Sequence, residues 1–149
     1  MNLKIPPVIV FLICSFFMWI LHRLNLIELT FNRNIFVAIF FWIIGAIIGI
    51  LALRLFKNAK TTSNPFYPEK TSKLVTSGVY KFSRNPMYLA LLSVLIGGCV
   101  YFGTWLNSLI LLLYIWYMTK FQIKPEEKIL SEKYGNLYLE YCKKVRRWF

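Results

Sequence analysis

Apolar residues are concentrated in four runs along the chain, separated by polar stretches of very different length. A helix that crosses a membrane needs about 20 mainly apolar residues, with a range of about 17–25. The second run meets this length alone, the first and third lie near its lower limit, and the fourth reaches it when extended through Ile123. The pattern therefore predicts an all-α, polytopic membrane protein with four transmembrane helices, over residues 5–21, 35–53, 87–102 and 105–123.

The connections between these runs differ in kind. Only Gly103 and Thr104 separate the third run from the fourth, which predicts a tight hairpin of the last two transmembrane helices. The connection at residues 54–86 is much longer, contains prolines and Gly78, and is too polar to cross a membrane.

The stretch after the fourth run predicts an amphipathic helix over residues 125–145. Pro125 suits a first helical turn, and the carboxylates of Glu126 and Glu127 complement the positive end of the helix dipole. Apolar residues then recur at steps of three and four positions and share one face. They are Leu130, Tyr134, Leu137, Tyr138, Tyr141 and Val145. We expect this face to pack against the membrane surface or the 54–86 connection.

The composition also predicts a lipid-exposed surface. Of the 149 residues, 58% are hydrophobic and 16% are charged, whereas a soluble domain is usually about 45–50% apolar and about 25% charged. One domain of this length cannot bury so much apolar surface in a water-facing core. We therefore interpret residues 1–149 as a single integral membrane domain. The first run is expected to be retained, because His22 and Arg23 follow it instead of a small-residue cleavage site.

The basic residues predict the orientation of the chain. Its net charge is +12, and it contains no Asp. Seven Lys and Arg lie between the second and third runs and eight in the tail from Lys120 onward, against two between the first and second runs. By the positive-inside rule, both termini and the 54–86 connection are cytoplasmic. Because these residues flank apolar runs, anionic membrane lipids are the expected partner and nucleic acid is not.

Metal and hydrolytic chemistry find little support in the sequence. Cys14 and Cys99 lie inside apolar runs, Cys142 lies in the basic tail, and His22 is the only histidine, so we expect neither a disulfide framework nor a metal site. The sequence contains no Ser-His-Asp set and no phosphate-binding glycine loop. Ionisable residues avoid the centres of the apolar runs, which argues against an ion pathway.

Two stretches carry polar residues suited to binding a ligand. The first runs from Leu74-Val-Thr-Ser-Gly-Val-Tyr80 into Arg84-Asn-Pro-Met-Tyr88. Pro86 predicts a helix start, whose free N–H groups can hold an anion. The alternative is that Tyr80 and Tyr88 belong to an interfacial aromatic belt, with Arg84 as an anchor.

The second stretch is the pair Glu126–Glu127. One carboxylate could bind a ligand's hydroxyls or ammonium just above the membrane. Alternatively, the pair only complements the helix dipole and forms ion pairs with Lys124, Lys128 or Arg84. Adjacent helix positions point about 100° apart, so the two carboxylates are not expected to serve the same ligand atom.

Taken in chain order, these residues resemble a known family. The matching elements are Gly78-x-Tyr80, Arg84-x-Pro86-x-Tyr88, Glu126-Glu127, Leu130, Tyr134-Gly135, Tyr138, Tyr141 and Val145. Over roughly the second half of the chain, this series resembles the isoprenylcysteine carboxyl methyltransferases and their bacterial relatives, and phospholipid methyltransferases share part of it.

The resemblance implies S-adenosylmethionine as the cofactor and a lipid-like amphiphile as the methyl acceptor. It implies cofactor contacts at Ser72, Lys73, Leu74, Val75, Tyr80, Asn85, Pro86, Met87, Tyr88, Glu126 and Glu127. Of the two carboxylates, Glu126 best matches the family's cofactor-binding residue.

The chain departs from the family pattern at two positions. Asn85 stands where the family usually has His, so a side chain that titrates near neutral pH is replaced by one that only forms hydrogen bonds. Gln122 stands where the eukaryotic enzymes have an Arg associated with the substrate. Gln122 is therefore a candidate substrate-binding residue, and a prenylcysteine carboxylate is a less suitable substrate here.

Three functions remain open on the sequence. The first is the membrane methyltransferase. The second is a membrane reductase of the steroid-reductase type that uses NADPH, since those enzymes share the Arg-x-Pro-x-Tyr region. The third is a non-enzymatic, lipid-binding membrane subunit. The sequence names neither the acceptor nor the oligomeric state.

Overall fold

The computed structural model describes residues 5–24, 30–59 and 74–149. The six α-helices in these ranges are α1 (Pro7–Leu24), α2 (Ile35–Asn58), α3 (Pro86–Phe102), α4 (Leu106–Met118), α5 (Lys124–Tyr134) and α6 (Asn136–Lys144). A 3₁₀ turn at Gly78–Lys81 precedes α3, and a π-helical turn at Thr119–Ile123 joins α4 to α5. The described part of the chain forms no strand beyond an isolated bridge between Thr30 and Thr104. The predicted all-α class is confirmed.

Among the described residues, α1 and α2 are the helices whose length and composition allow them to cross a membrane. Helix α2 begins at Asn34, whose side chain accepts hydrogen bonds from the N–H groups of Phe36 and Val37 at 3.1 and 3.2 Å. Most large apolar side chains on both helices are exposed, and Phe36 is 80% accessible. An apolar face of this size is excluded from water in a soluble protein, so lipid is its natural surrounding.

Helix α3 lies at the centre of the fold. It packs against α2 on one side and against α1 and α4 on the other. The core between α1, α3 and α4 is closed by fully buried side chains, which include Met18, Leu95 and Tyr114. On the other side, the Ser93 hydroxyl donates to the Phe41 carbonyl at 2.8 Å, which fixes the pairing of α2 with α3.

The close contact between α2 and α3 requires a glycine. A Cβ at Gly45 would lie 2.8 Å from the Ala90 carbonyl oxygen and 2.8 Å from Val94 Cγ2. A Cβ at Gly49, one turn later, would meet nothing closer than Ala90 Cβ at 3.5 Å, an ordinary contact. Gly45 therefore sets the approach of the two helices, while Gly49 has room for a methyl group in contact with Ala90.

The helix after the fourth apolar run differs from its prediction. The single helix predicted over residues 125–145 is wrong, because the chain bends at Gly135 (φ +52°, ψ −128°) and divides into α5 and α6. Because of the bend, the residues of the predicted apolar face no longer all lie on one side of a helix. Tyr138, Tyr141 and Val145 are buried together, but Leu137 is 61% exposed.

The other helix limits shift by smaller amounts. Helix α2 continues to Asn58, five residues into the connection predicted at 54–86. The fourth predicted helix is α4 followed by the π-helical turn, and it runs without a break into α5. Since α3 and α4 have 17 and 13 residues, whether all four apolar helices span the membrane stays a prediction.

Candidate active site

A cavity of about 630 Å³ lies between α2, α3 and the α5–α6 pair. One end is polar and is formed by Tyr80, Arg84, Asn85, Tyr88, Glu126, Glu127, Tyr138 and Tyr141. The other end is apolar and includes Gly45, Ala46, Gly49, Ile50, Leu53, Ala90, Leu91 and Val94. We call these the polar end and the apolar end of the cavity. Its volume lies in the range of about 300–1,000 Å³ that is usual for small-molecule sites.

The polar end begins at the 3₁₀ turn before α3. The Tyr80 ring is buried and packs edge-on against Phe56 of α2, with the ring centroids 5.5 Å apart. The Tyr141 hydroxyl of α6 donates to the Tyr80 carbonyl at 2.6 Å. Helix α6 therefore holds this turn against the end of α2. Burial also raises the pKa of Tyr80 and of Tyr141, so both hydroxyls stay protonated at neutral pH.

Tyr88 and Glu126 join the beginning of α3 to the beginning of α5. The Tyr88 hydroxyl donates a hydrogen bond to Glu126 Oε1. Burial raises the pKa of the Glu126 carboxyl to about 8; the hydrogen bond from Tyr88 lowers it, and the neighbouring charge of Glu127 raises it. Glu126 is therefore a carboxyl group on the cavity wall that can change its charge near neutral pH.

Glu127 lies in a different environment. Its carboxylate accepts two hydrogen bonds from Arg147, from Nε at 3.0 Å and from Nη2 at 2.6 Å. Arg84 Nη2 approaches the same carboxylate at 3.2 Å. Two guanidinium groups therefore balance the charge of Glu127, and the pair predicted from the sequence separates into two carboxylates with different partners.

Arg84 also contributes an unpaired donor. Its Nη1 donates to the Cys142 sulfur and its Nη2 binds Glu127, while Nε is buried and has no partner. The Arg84 side chain is 11% exposed and lines the cavity. A buried N–H without a partner costs free energy, so this donor is suited to an anionic group of a bound ligand.

Most of the candidate residues in the described part of the chain meet at this cavity. Leu74, Val75, Tyr80, Asn85, Met87, Tyr88, Glu126 and Glu127 line it. Pro86 is buried at the first turn of α3, outside the lining. Ser72 and Lys73 lie outside the described residues.

Gln122 lies away from the cavity. It is buried in the π-helical turn, and its Nε2 donates to the Ile5 carbonyl just before α1. Its other amide atom, Oε1, is buried without a partner. In this arrangement Gln122 joins two elements of the fold, and its assignment as a substrate-binding residue stays a prediction.

Several lining residues had no predicted ligand-binding role. Arg84 was considered as a membrane anchor or as an ion-pair partner of the Glu126–Glu127 pair, and its contact with Glu127 confirms the ion pair. Tyr138 and Tyr141 appeared only as members of the family series. The position of Tyr138 and Tyr141 in the family series could have indicated that they lie at the site. The apolar lining on α2 had no such signal, because Gly49 and Ile50 lie in a uniformly apolar run.

Comparison with known proteins identifies the family. Residues 33–137 match the phospholipid methyltransferase family. A probable protein-S-isoprenylcysteine O-methyltransferase of Oryza sativa subsp. indica is 32% identical over 103 residues, which cover 69% of this chain and 54% of that protein. The protein-S-isoprenylcysteine O-methyltransferase of Saccharomyces cerevisiae is 39% identical over 80 residues, 52% of this chain and 32% of that protein.

A shorter relative matches this chain over almost its whole length. An uncharacterized protein of Haemophilus influenzae is 40% identical over 62 residues, which are 42% of this chain and 98% of that protein. Against the two named methyltransferases above, the matched region spans about a third to a half of their length. No solved structure matches the chain.

The residues that the structure describes form an all-helical membrane protein with a cavity that is polar at one end and apolar at the other. The chain belongs to the phospholipid methyltransferase family.

Proposed function

We propose that the protein transfers a methyl group from S-adenosylmethionine to a lipid-like acceptor at the membrane surface. The observation that carries this proposal is a cavity in which a polar, tyrosine-rich end with a carboxyl group continues into an apolar end. A methyl donor that is soluble in water and an acceptor that partitions into lipid need these two environments side by side.

The residues of the polar end fit the cofactor. The carboxylate of Glu126 and the buried Nε of Arg84 match the ammonium and carboxylate of its methionine part. The ring faces of Tyr80 and Tyr88 are suited to a cationic sulfonium or to adenine. These four side chains are the ones that would hold it.

The chain's own residues mainly bind and orient the reactants. The bound cofactor would supply an electrophilic methyl group on a sulfonium. Tyr88 keeps the Glu126 carboxyl in place through its hydroxyl, and Tyr141 keeps the Tyr80 turn in place. The apolar walls exclude water, which favours a reaction whose charge disperses in the transition state. Holding two reactants in line accounts for much of the barrier reduction in such transfers.

The apolar end fits the tail of the acceptor. Gly49 and Ala90 are small, so a groove opens between α2 and α3 where larger side chains would meet. Along α2 the apolar end extends from Gly45 to Leu53, about 12 Å at the rise of an α-helix. A groove of this length takes a long hydrocarbon chain.

The proposed arrangement in the membrane follows the charge pattern. Four transmembrane helices with both termini and the polar end on the cytoplasmic side would give a soluble cofactor direct access. The acceptor would then enter the apolar end laterally, from the lipid.

The function is tested with methyl-labelled S-adenosylmethionine and protein in lipid nanodiscs. Candidate acceptors are a prenylated cysteine peptide and phosphatidylethanolamine, the acceptor classes that the family names suggest. We expect label in the organic phase together with S-adenosylhomocysteine, and a loss of both in Glu126→Gln. Folded protein that neither binds S-adenosylhomocysteine nor transfers label would overturn the proposal. Binding of NADPH in its place would identify a reductase.

A further inference from the structure

The segment Val145–Phe149, which follows α6, holds the turn that precedes α3. The Arg146 carbonyl accepts a hydrogen bond from the Arg84 N–H at 3.0 Å. The Arg147 carbonyl accepts one from Asn85 Nδ2 at 2.9 Å. This 145–149 segment therefore fixes two lining residues of the polar end through its main chain.

The side chains of the same segment reach the beginning of α5. Arg147 binds both carboxylate oxygens of Glu127, at 3.0 and 2.6 Å. Trp148 Nε1 donates to Thr119 Oγ1 at 3.1 Å, in the π-helical turn just before α5. A two-point contact between Arg and a carboxylate fixes both the distance and the plane of the carboxylate. The 145–149 segment thus ties the beginning of α3 to the beginning of α5.

The contact between Arg147 and Glu127 also affects the neighbouring carboxyl group of Glu126. Glu126 and Glu127 are adjacent on α5, so their side chains point about 100° apart around the helix axis. When Arg147 fixes the direction of Glu127, it also sets the rotation at which Glu126 meets the cavity and the Tyr88 hydroxyl.

We propose that Arg147 is a positioning residue for the Glu126 carboxyl group, acting through its two-point contact with Glu127. The inference rests on the proposed function, because it takes Glu126 to bind the cofactor. Arg147 itself needs no contact with either reactant. It sets the orientation of the first turn of α5 and offsets the negative charge beside Glu126.

Because of the charges around Glu126, this role of Arg147 should be visible in the pH dependence of cofactor binding. Tyr88 faces it from α3, Tyr80 from the 3₁₀ turn, and Glu127 from its own helix. Burial is the main reason that its pKa is about 8, and the charge of Glu127 raises that value. Without Arg147 the charge of Glu127 is less compensated, so the pKa of Glu126 rises further and the carboxyl is ionised only at higher pH.

The test is the affinity for S-adenosylhomocysteine of Arg147→Met protein, measured by calorimetry at pH 6.5, 7.5 and 8.5. We expect binding to weaken by about tenfold at pH 6.5, the order by which one nearby charge changes the ionised fraction of a carboxyl group. The difference in affinity between Arg147→Met and the unaltered protein should become smaller toward pH 8.5. Lys143→Met, which removes an equal charge from an exposed position on α6, should bind like the unaltered protein.

Two results would overturn the inference. Arg147→Met could bind as tightly as the unaltered protein, or it could lose the same factor at every pH. Should Arg147→Met not fold, Arg147→Lys provides the comparison, because it keeps the charge but loses the two-point contact. An affinity of Arg147→Lys below that of the unaltered protein supports the inference, and an unchanged affinity contradicts it. If the unaltered protein does not bind S-adenosylhomocysteine, the proposed function fails and not only the role of Arg147.

Discussion

At the scale of single residues, Glu126 and Glu127 have opposite surroundings although they are neighbours in sequence. Glu126 faces the cavity and accepts from Tyr88, whereas Glu127 is held by Arg84 and Arg147. The helix geometry predicted that they would diverge. Arg84 was among the ion-pair partners predicted for this pair, and Arg147 was not, because Arg147 lies 20 residues along the chain and a bend in the helix brings it back.

The pKa of Glu126 predicts how stability depends on pH. An exposed carboxyl titrates near pH 4, whereas that of Glu126 does so at about 8 because it is buried. In the folded protein its contribution to stability is therefore complete at low pH and is lost as the pH rises through about 8. We expect the melting temperature to fall between pH 6 and 9, and the fall to be smaller by about 4 °C or more in Glu126→Gln.

The measurement is a thermal unfolding series in detergent, with both proteins at each pH. Glu132→Gln is the control, since that carboxylate is exposed beside Lys128 and should leave the pH dependence unchanged. Parallel curves for Glu126→Gln and the unaltered protein would show that Glu126 does not titrate in this range.

The candidate residues show what sequence can supply at this scale. The resemblance brought Tyr80, Tyr88 and Glu126 together although the first and last are 46 positions apart, and they do line one cavity. Spacing alone could not have done so, because no periodicity relates a turn before α3 to a helix after α4. The place of Arg84 in the cavity lining could not be predicted, since a basic residue at a helix start is equally typical of a membrane anchor.

At the scale of elements, the division of the last predicted helix shows where periodicity fails. Steps of three and four apolar positions run across Gly135 without interruption, so the pattern indicated one helix. The backbone at Gly135 (φ +52°) nevertheless leaves the helical region. The sequence carried a sign of this, since glycine is the residue most often found where a helix ends.

Gly135→Ala is expected to destabilise the protein through the backbone alone. An added Cβ would meet no atom within 4 Å, so steric overlap plays no part. The positive φ costs an alanine about 1–3 kcal/mol. Chemical unfolding midpoints would measure this, with Gly49→Ala as the control at a helical glycine that has room for a methyl group. Equal midpoints for the two variants would contradict the expectation.

The groove between α2 and α3 predicts which acceptors the protein accepts. A leucine at Gly49 would occupy the apolar end and exclude on the order of two methylenes of the acceptor tail, each worth about 0.8 kcal/mol. We expect kcat/KM for a long-chain acceptor to fall about tenfold in Gly49→Leu, with the affinity for S-adenosylhomocysteine unchanged. An unchanged kcat/KM, measured in the methyl-transfer assay, would place the tail elsewhere.

At the scale of the whole molecule, the apolar runs predicted the helices well because lipid imposes the same two requirements on each of them. A segment that meets lipid must be apolar and must satisfy its own backbone hydrogen bonds, which makes it a helix. The same uniformity hides which face of each helix lines the cavity. For this reason the sequence could place α2 in the fold but could not show that Gly49 and Ile50 line a groove.

The orientation in the membrane predicts which residues are accessible from each side. A cysteine at Lys143 should react with a membrane-impermeant maleimide from the cytoplasmic side, and one at Asn32 from the other side. Both positions are exposed. For the comparison, each cysteine is introduced alone into a chain whose own three cysteines have been replaced, and the protein is labelled in sealed vesicles of both orientations. Labelling of both positions from the same side would overturn the four-helix topology.

The central claim is that the polar end of the cavity binds S-adenosylmethionine through Glu126. Calorimetric titration of the purified protein with S-adenosylhomocysteine tests it most directly, with Glu126→Gln and the exposed-site control Glu132→Gln in parallel. We predict saturable binding that Glu132→Gln retains and that Glu126→Gln weakens by about 10- to 100-fold, the loss expected for one hydrogen bond to a charged group. A folded protein that shows no binding, or Glu126→Gln protein that binds as tightly as the unaltered chain, would contradict the claim.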